Sequence, residues 1–322
     1  MGDKDLFAKE CLSDNEIFAD AFNYLIYGGE QVIDPDKLRP VDTEVIGVPY
    51  GNDDSGTPVQ RYRDLLKALT VMKDESRVYL LLGIEAQSED NYAMPVRNMV
   101  YDALQYAKQV EEAAKAHRKS KPDRTITSGE YLSGFYSDDR LVPVITLVLY
   151  LSPDEWKGPR SLHEMFSMED PKILRYVSDY KLNILCPAEL SEEELNRMTS
   201  ELHEIFIYTK YSRDQERLDE MVQKYESFRS LDIKAVRLIR AVTNSSELKI
   251  DETKENIDMC QALMDMKRDA AMAGEKRGEQ QKARKMVINM LKLGGFSVET
   301  IAKIAEISIS EVEAIRAEIG AQ

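Results

Sequence analysis

Asp64, Glu85 and Gln87 are the residues whose types and spacing could do chemistry. They lie in residues 60–87, QRYRDLLKALTVMKDESRVYLLLGIEAQ. Two runs rich in Leu, Val and Tyr flank the charged break Lys73-Asp74-Glu75-Ser76, the pattern of two strands joined by a short polar turn. If the turn is centred between Asp74 and Glu75, pairing residues equidistant from that centre sets Asp64 opposite Glu85 on one face of a hairpin. Gln87, two residues on, points to the same face. Two carboxylates side by side at the end of an apolar strand are costly unless something neutralises them, and a divalent cation held by oxygen ligands is one neutraliser. Pairing with Arg61, Arg63 or Arg97 is the other reading, because buried carboxylates are usually matched by a partner.

These residues need elements to hold them. Residues 14–27, DNEIFADAFNYLIY, place Ile17, Phe18, Ala21, Phe22 and Leu25 at helical spacing, with Asp20 and Asn23 off that apolar face and Gly28-Gly29 as the stop. Residues 30–58 are rich in Asp, Pro and Gly and read as a loop with at most one short strand around 45–48. After the hairpin, Pro95 suits the first turn of a helix running to about Ala116. Val96, Val100, Leu104 and Ala107 are its expected buried stripe, and Arg97, Tyr101 and Gln105 recur every four residues beside it.

Residues 141–151, LVPVITLVLYL, are almost continuously apolar, which predicts a central strand buried on both faces. A turn and a short helix follow around Trp156, the chain's single tryptophan, and a further strand is expected at 180–186. Beyond Pro187 the pattern is all-helical, with breaks near Ser212, Ser230 and Asn244. Gly274 and Gly278 interrupt a charged helical run, and three short helices close the chain, separated at Gly294-Gly295 and Ile307-Ser308. Ser310 and Glu313 have capping-box spacing. This tail is helix-turn-helix-like, but its last helix sets Glu311, Glu313 and Glu318 against Arg316 alone, which suits packing or self-association better than reading DNA.

Composition narrows the classes. A chain of 322 residues with 43% hydrophobic content can bury a large core in one large or two modest domains. No run of about 18 apolar residues and a charged N-terminus give no case for a membrane span or secretion, so a cytoplasmic location is expected. Three dispersed cysteines and three dispersed histidines form no disulfide frame and no ligand pair. A net charge of −15 argues against broad adhesion to a polyanion but leaves room for a local basic groove. The basic run from His117 to Lys121, with Arg124, is the candidate for one, against the plainer reading of a solvated helix end.

Asp64, the apolar strand ending Glu85-Ala86-Gln87, the helix MPVRNMVYDALQYAKQ and the later segments LVPVITLVLYL and WKGPRSLHEMF together resemble the recombination-promoting nuclease or putative transposase family, a branch of the PD-(D/E)XK phosphodiesterases. The resemblance is strong over the first half of the chain and looser beyond. It implies an α/β fold with a restriction-endonuclease-like mixed sheet flanked by helices, followed by an all-α C-terminal region. The expected domains are a nuclease-like domain over 1–187, a helical extension over 188–270 and a helical tail over 271–322. It further implies Mg²⁺ or Mn²⁺ held by Asp64, Glu85 and the backbone carbonyl of Ala86, with DNA as the partner and phosphodiester hydrolysis as the reaction. Gln87 stands where many relatives carry Lys; as a neutral amide it can orient a water but cannot act as a base. Arg97 is placed to contact a phosphate, Tyr101 and Gln105 to support the site, and Asp20 as an additional acidic ligand. The alternative is a catalytically weak or inactive nuclease-fold protein that serves as an interaction or oligomerisation module through its helical C-terminal region.

Overall fold

The computed structural model describes residues 3–41, 44–47, 59–62, 65–73, 76–120, 124–168 and 170–320. The chain divides into two compact units, one of residues 1–246 with 250–259, the other of residues 247–249 with 260–322.

In the first unit, helices α1 (Asp3–Leu12) and α2 (Asn15–Tyr27) precede the sheet. The Asp14 carboxylate accepts from the amides of Glu16 and Ile17, supplying partners that a first helical turn lacks. Gly28 ends α2 in the left-handed region at φ 64°, where a residue without Cβ is least strained. Strand β1 (Arg39–Pro40) follows, then the separate pair β2 (Glu44–Gly47) and β3 (Val59–Tyr62). The hairpin is β4 (Leu65–Lys73) with β5 (Ser76–Gln87), in register from Lys73↔Ser76 to Leu65↔Ile84. This is the register expected from a turn centred between Asp74 and Glu75; Asp64 itself lies outside the described residues.

Helix α3 (Met94–Lys119) and the short α4 (Ser128–Ser133) connect β5 to β6 (Val144–Tyr150). β6 runs parallel to β5 and, after α5 (Pro171–Leu174), parallel to β7 (Asn183–Leu185), giving the sheet order β1-β4-β5-β6-β7. The apolar strand predicted at 141–151 is therefore interior, paired on both sides. Met94, Val148, Tyr150, Trp156 and Cys186 pack together on the α3 side. On the other side Lys67, the register partner of Leu82, lies over the Phe18 ring at 4.5 Å, so α2 backs the face that carries Leu82 and Ile84.

The remainder of this unit is α6 (Glu192–Leu195), α7 (Leu202–Tyr211), α8 (Gln215–Lys224) and α9 (Ile233–Thr243). α7 is buried from Leu202 to Thr209 and is the inner helix of the group. Asn244 ends α9 at φ 53°, at the break expected there. The region is not purely helical: β8 (Leu231–Asp232) pairs with β9 (Asn256–Ile257), a two-residue ladder too short to leave a period in the sequence.

The second unit holds most of α10 (Met259–Leu293), with α11 (Val298–Ala305) and α12 (Ile309–Gly320). Val287, Ile301, Ala302, Ala305, Val312 and Ile315 form its core. Gly274 and Gly278 do not interrupt α10. A Cβ at either would meet nothing, so each costs only its intrinsic propensity, about 1 kcal/mol, against strong helix formers around it. The capping box sits at Ser308 and Glu311, two residues earlier than expected: Glu311 N–H donates to Ser308 Oγ at 3.2 Å and Ser308 N–H to Glu311 Oε2 at 2.8 Å.

Candidate active site

Strand parity places Glu85. Side chains alternate along β5, so Gly83, Glu85 and Gln87 share one face, and parallel pairing brings to it Thr146, Val148 and Tyr150 of β6. That face is roofed by α3. The Glu85 carboxylate is fully buried, with Oε2 2.9 Å from the Arg97 guanidinium. Arg97 in turn lies 5.7 Å over the Tyr101 ring, a cation–π distance. The sequence-predicted helical edge of Arg97, Tyr101 and Gln105 is thus directed to the Glu85 face, with Tyr101 3% and Gln105 4% exposed. Gln87 is half-buried, and its backbone carbonyl accepts from Leu151 N–H at 2.7 Å, so the strand stays paired to its end. Ala86, between them, pairs with Leu149.

The buried stripe of α3 differs from the one its apolar residues predict. Met94, Asn98, Tyr101, Asp102 and Gln105 are buried, whereas Val96 is exposed and Val100 and Leu104 are only half-buried. Ala107 is exposed. The reason lies in the opposing surface. The sheet offers Glu85 and Thr146, and a helix that turned Val96 and Val100 inward would leave both without polar partners.

Asp102 is the polar residue that the sequence reading missed. Its Oδ1 accepts from Thr146 Oγ1 and its Oδ2 from the Tyr180 hydroxyl, both at 2.6 Å. These bonds tie α3 to β6 and to the segment leading into β7. A signal for it exists: Thr146 is the one aliphatic hydroxyl inside a strand predicted to be buried on both faces, so it demands a partner. Asn98, one turn before Asp102, is fully buried, and neither its Oδ1 nor its Nδ2 has a hydrogen-bond partner among the described residues.

Other predicted residues sit elsewhere. Asp20 is buried in α2, which backs the opposite face of the sheet. Its Oδ2 accepts from the amides of Thr199 and Ser200 and from Ser200 Oγ, at 2.7–2.9 Å, which closes the turn before α7. In the basic run, Arg118 and Lys119 are exposed in the last turn of α3. His117 faces Asp139 at 2.9 Å and Arg124 is held by Glu130 and Asp138, so two of its basic side chains already have acidic partners, while Lys121 lies outside the described residues. Burial pulls the Lys67 ammonium down to about 8, and it donates to Ser13 O and Asn15 Oδ1 at 2.7 Å each. Lys67 thereby anchors the hairpin to the α1–α2 corner.

Fold and site together define a mixed α/β protein with a small partly parallel sheet, a buried carboxylate at a strand end and a helix that covers it with its polar side. The family model described as putative transposase, YhgA-like, matches residues 58–235. The chain belongs to that family, and the match takes in Glu85, Arg97, Asp102 and the central strands. Comparison with curated proteins and with solved structures gave no match. Among the described residues no helix is long and apolar enough to cross a membrane.

Proposed function

We propose that this chain is a metal-dependent DNA endonuclease of the PD-(D/E)XK type, acting in recombination or in the movement of mobile elements. The observation that carries the reading is Glu85: a wholly buried carboxylate, third from last in a strand otherwise apolar from Val78 to Ala86 but for Gly83, under a helix from which Arg97 reaches it. Membership of a transposase family supports DNA as the substrate.

The donor chemistry fits a hard cation. Asp64 and Glu85 would supply carboxylate oxygens and Ala86 a backbone carbonyl, the ligand class that Mg²⁺ and Mn²⁺ take. No group of three His, Cys, Asp or Glu residues suited to a metal occurs among the described residues. Two carboxylates completed by water and substrate phosphate oxygens are the usual Mg²⁺ arrangement, so a larger cluster is not required. Such an ion would polarise the scissile phosphate and lower the pKa of an attacking water. Arg97 would hold a phosphate oxygen as well as Glu85, and Gln87 would orient the water through its amide.

A second reading rests on the same contact. Arg97 already neutralises Glu85, and Gln87 offers no charge, an arrangement that also suits a structural core in an interaction protein that self-associates through its C-terminal helices. Cleavage of supercoiled plasmid with Mg²⁺ or Mn²⁺ separates them, comparing the natural chain with Asp64→Ala and Glu85→Ala prepared identically. Metal-dependent nicking lost in both variants establishes the nuclease. Equal residual nicking in all three refutes it in favour of the interaction protein.

A further inference from the structure

We infer that Asn98 is a cation-contacting residue of the Glu85 site, its amide kept without a protein partner because a hydrated divalent ion occupies that place. The inference rests on the nuclease reading above and adds to it a residue that neither charge nor spacing singles out.

Three observations converge on this amide. First, Asn98 is 0% exposed, and both polar atoms of its side chain are buried without a hydrogen bond among the described residues. An amide removed from water and left unmatched costs on the order of 1–3 kcal/mol per polar group, so such a group needs an explanation, most simply an ion or ordered water. Second, every neighbour on the same helical face is matched. One turn earlier, Met94 packs on Val148 and Tyr150; one turn later, Asp102 is bonded to Thr146 and Tyr180. Third, those contacts fix where Asn98 lies. Val148 and Thr146 are the register partners of Glu85 and Gly83, so Asn98 sits over the strip between those two pairs, and Gly83 contributes no side chain to fill it. Arg97, the adjacent residue of α3, reaches Glu85 from the same turn.

The chemistry of the amide suits such an ion. A carboxamide Oδ1 is a neutral oxygen donor of the kind that hard divalent cations accept, and Nδ2 can donate to a carboxylate or to metal-bound water. A neutral ligand adds no charge to a site that already holds a buried carboxylate, which limits the repulsion when the ion is absent. Such an arrangement sacrifices stability of the metal-free fold for binding, and that trade can be measured.

The test is thermal unfolding and calorimetric titration of the full chain with Mg²⁺ and Mn²⁺ alone, without DNA. It compares the natural protein with Asn98→Leu, Asn98→Asp and Glu85→Gln. The expected result is that Asn98→Leu melts higher than the natural chain in chelator yet binds metal about 10–100-fold more weakly. Asn98→Asp, nearly isosteric, should melt lower in chelator and bind metal more tightly, and it keeps the test decisive if the leucine variant does not fold. Glu85→Gln should lose the metal response. If Glu85→Gln loses it while both Asn98 variants keep the natural affinity, the role of Asn98 is overturned and the nuclease reading stands. If the natural chain shows no metal response, or Glu85→Gln retains it, the nuclease reading fails and the inference with it.

Discussion

Lys67→Met tests how the hairpin is anchored, through a pH dependence with a defined sign. The Lys67 ammonium is buried against the Phe18 ring, and desolvation brings it from its ordinary 10.5 down to about 8. Because the folded pKa lies below the unfolded one, between these values the unfolded chain binds a proton that the folded chain does not. Stability from this group therefore rises with pH across that window, and the full penalty for burying the charge applies below about pH 8. Each pKa unit is worth about 1.4 kcal/mol, so moving from pH 7.5 to pH 9.5 returns about 2 kcal/mol to the natural chain and nothing to the methionine variant. Cys11 and Tyr208, both raised by burial, act in the opposite sense as pH climbs, but they do so in both proteins and cancel in the comparison. The measurement is urea unfolding of the two proteins at the two pH values. The natural chain should gain on the variant by about 2 kcal/mol at the higher pH. A gap that stays constant, or moves the other way, would show that Lys67 is not held as a desolvated cation.

Two further substitutions probe the packing around the site. Thr146→Val keeps the side-chain shape but removes the hydroxyl that donates to Asp102 Oδ1, and chemical denaturation should show a loss of about 1.5–3 kcal/mol, the range for a hydrogen bond to a charged group. A loss below about 0.5 kcal/mol would mean that Asp102 does not pin α3 to β6. Gly158→Ala would bring a Cβ to 2.7 Å from Trp156 Cζ2, so we expect about 1–3 kcal/mol of destabilisation and a shifted tryptophan emission; an unchanged spectrum and midpoint would refute that close approach.

Much of the first unit is written locally. α2 is bounded by an Asp that caps its first turn and a Gly that accepts the left-handed exit, and both signals act within a few residues. The hairpin register follows from where the charged turn falls, and because side chains alternate with a period of two, it also determines that Glu85 and Gln87 share a face. The interior position of β6 is legible in its unbroken apolar run, since only a strand covered on both faces tolerates one.

The tertiary structure alone decided the matters that depend on what an element meets. Hydrophobic periodicity chooses the Val96 and Val100 edge of α3 for burial; the sheet chooses the edge of Asn98, Tyr101 and Asp102, because Glu85 and Thr146 must be matched and a lost hydrogen bond outweighs a half-exposed valine. Asp20 is drawn away by Thr199 and Ser200, nearly 180 residues distant, whose amides no local pattern connects to it. Sequence by itself determined which residues share a strand face or a helix face. The packed structure decided which of those faces is turned inward, because burial is settled by the partner that a polar group finds across the interface and not by the group's own place in the chain.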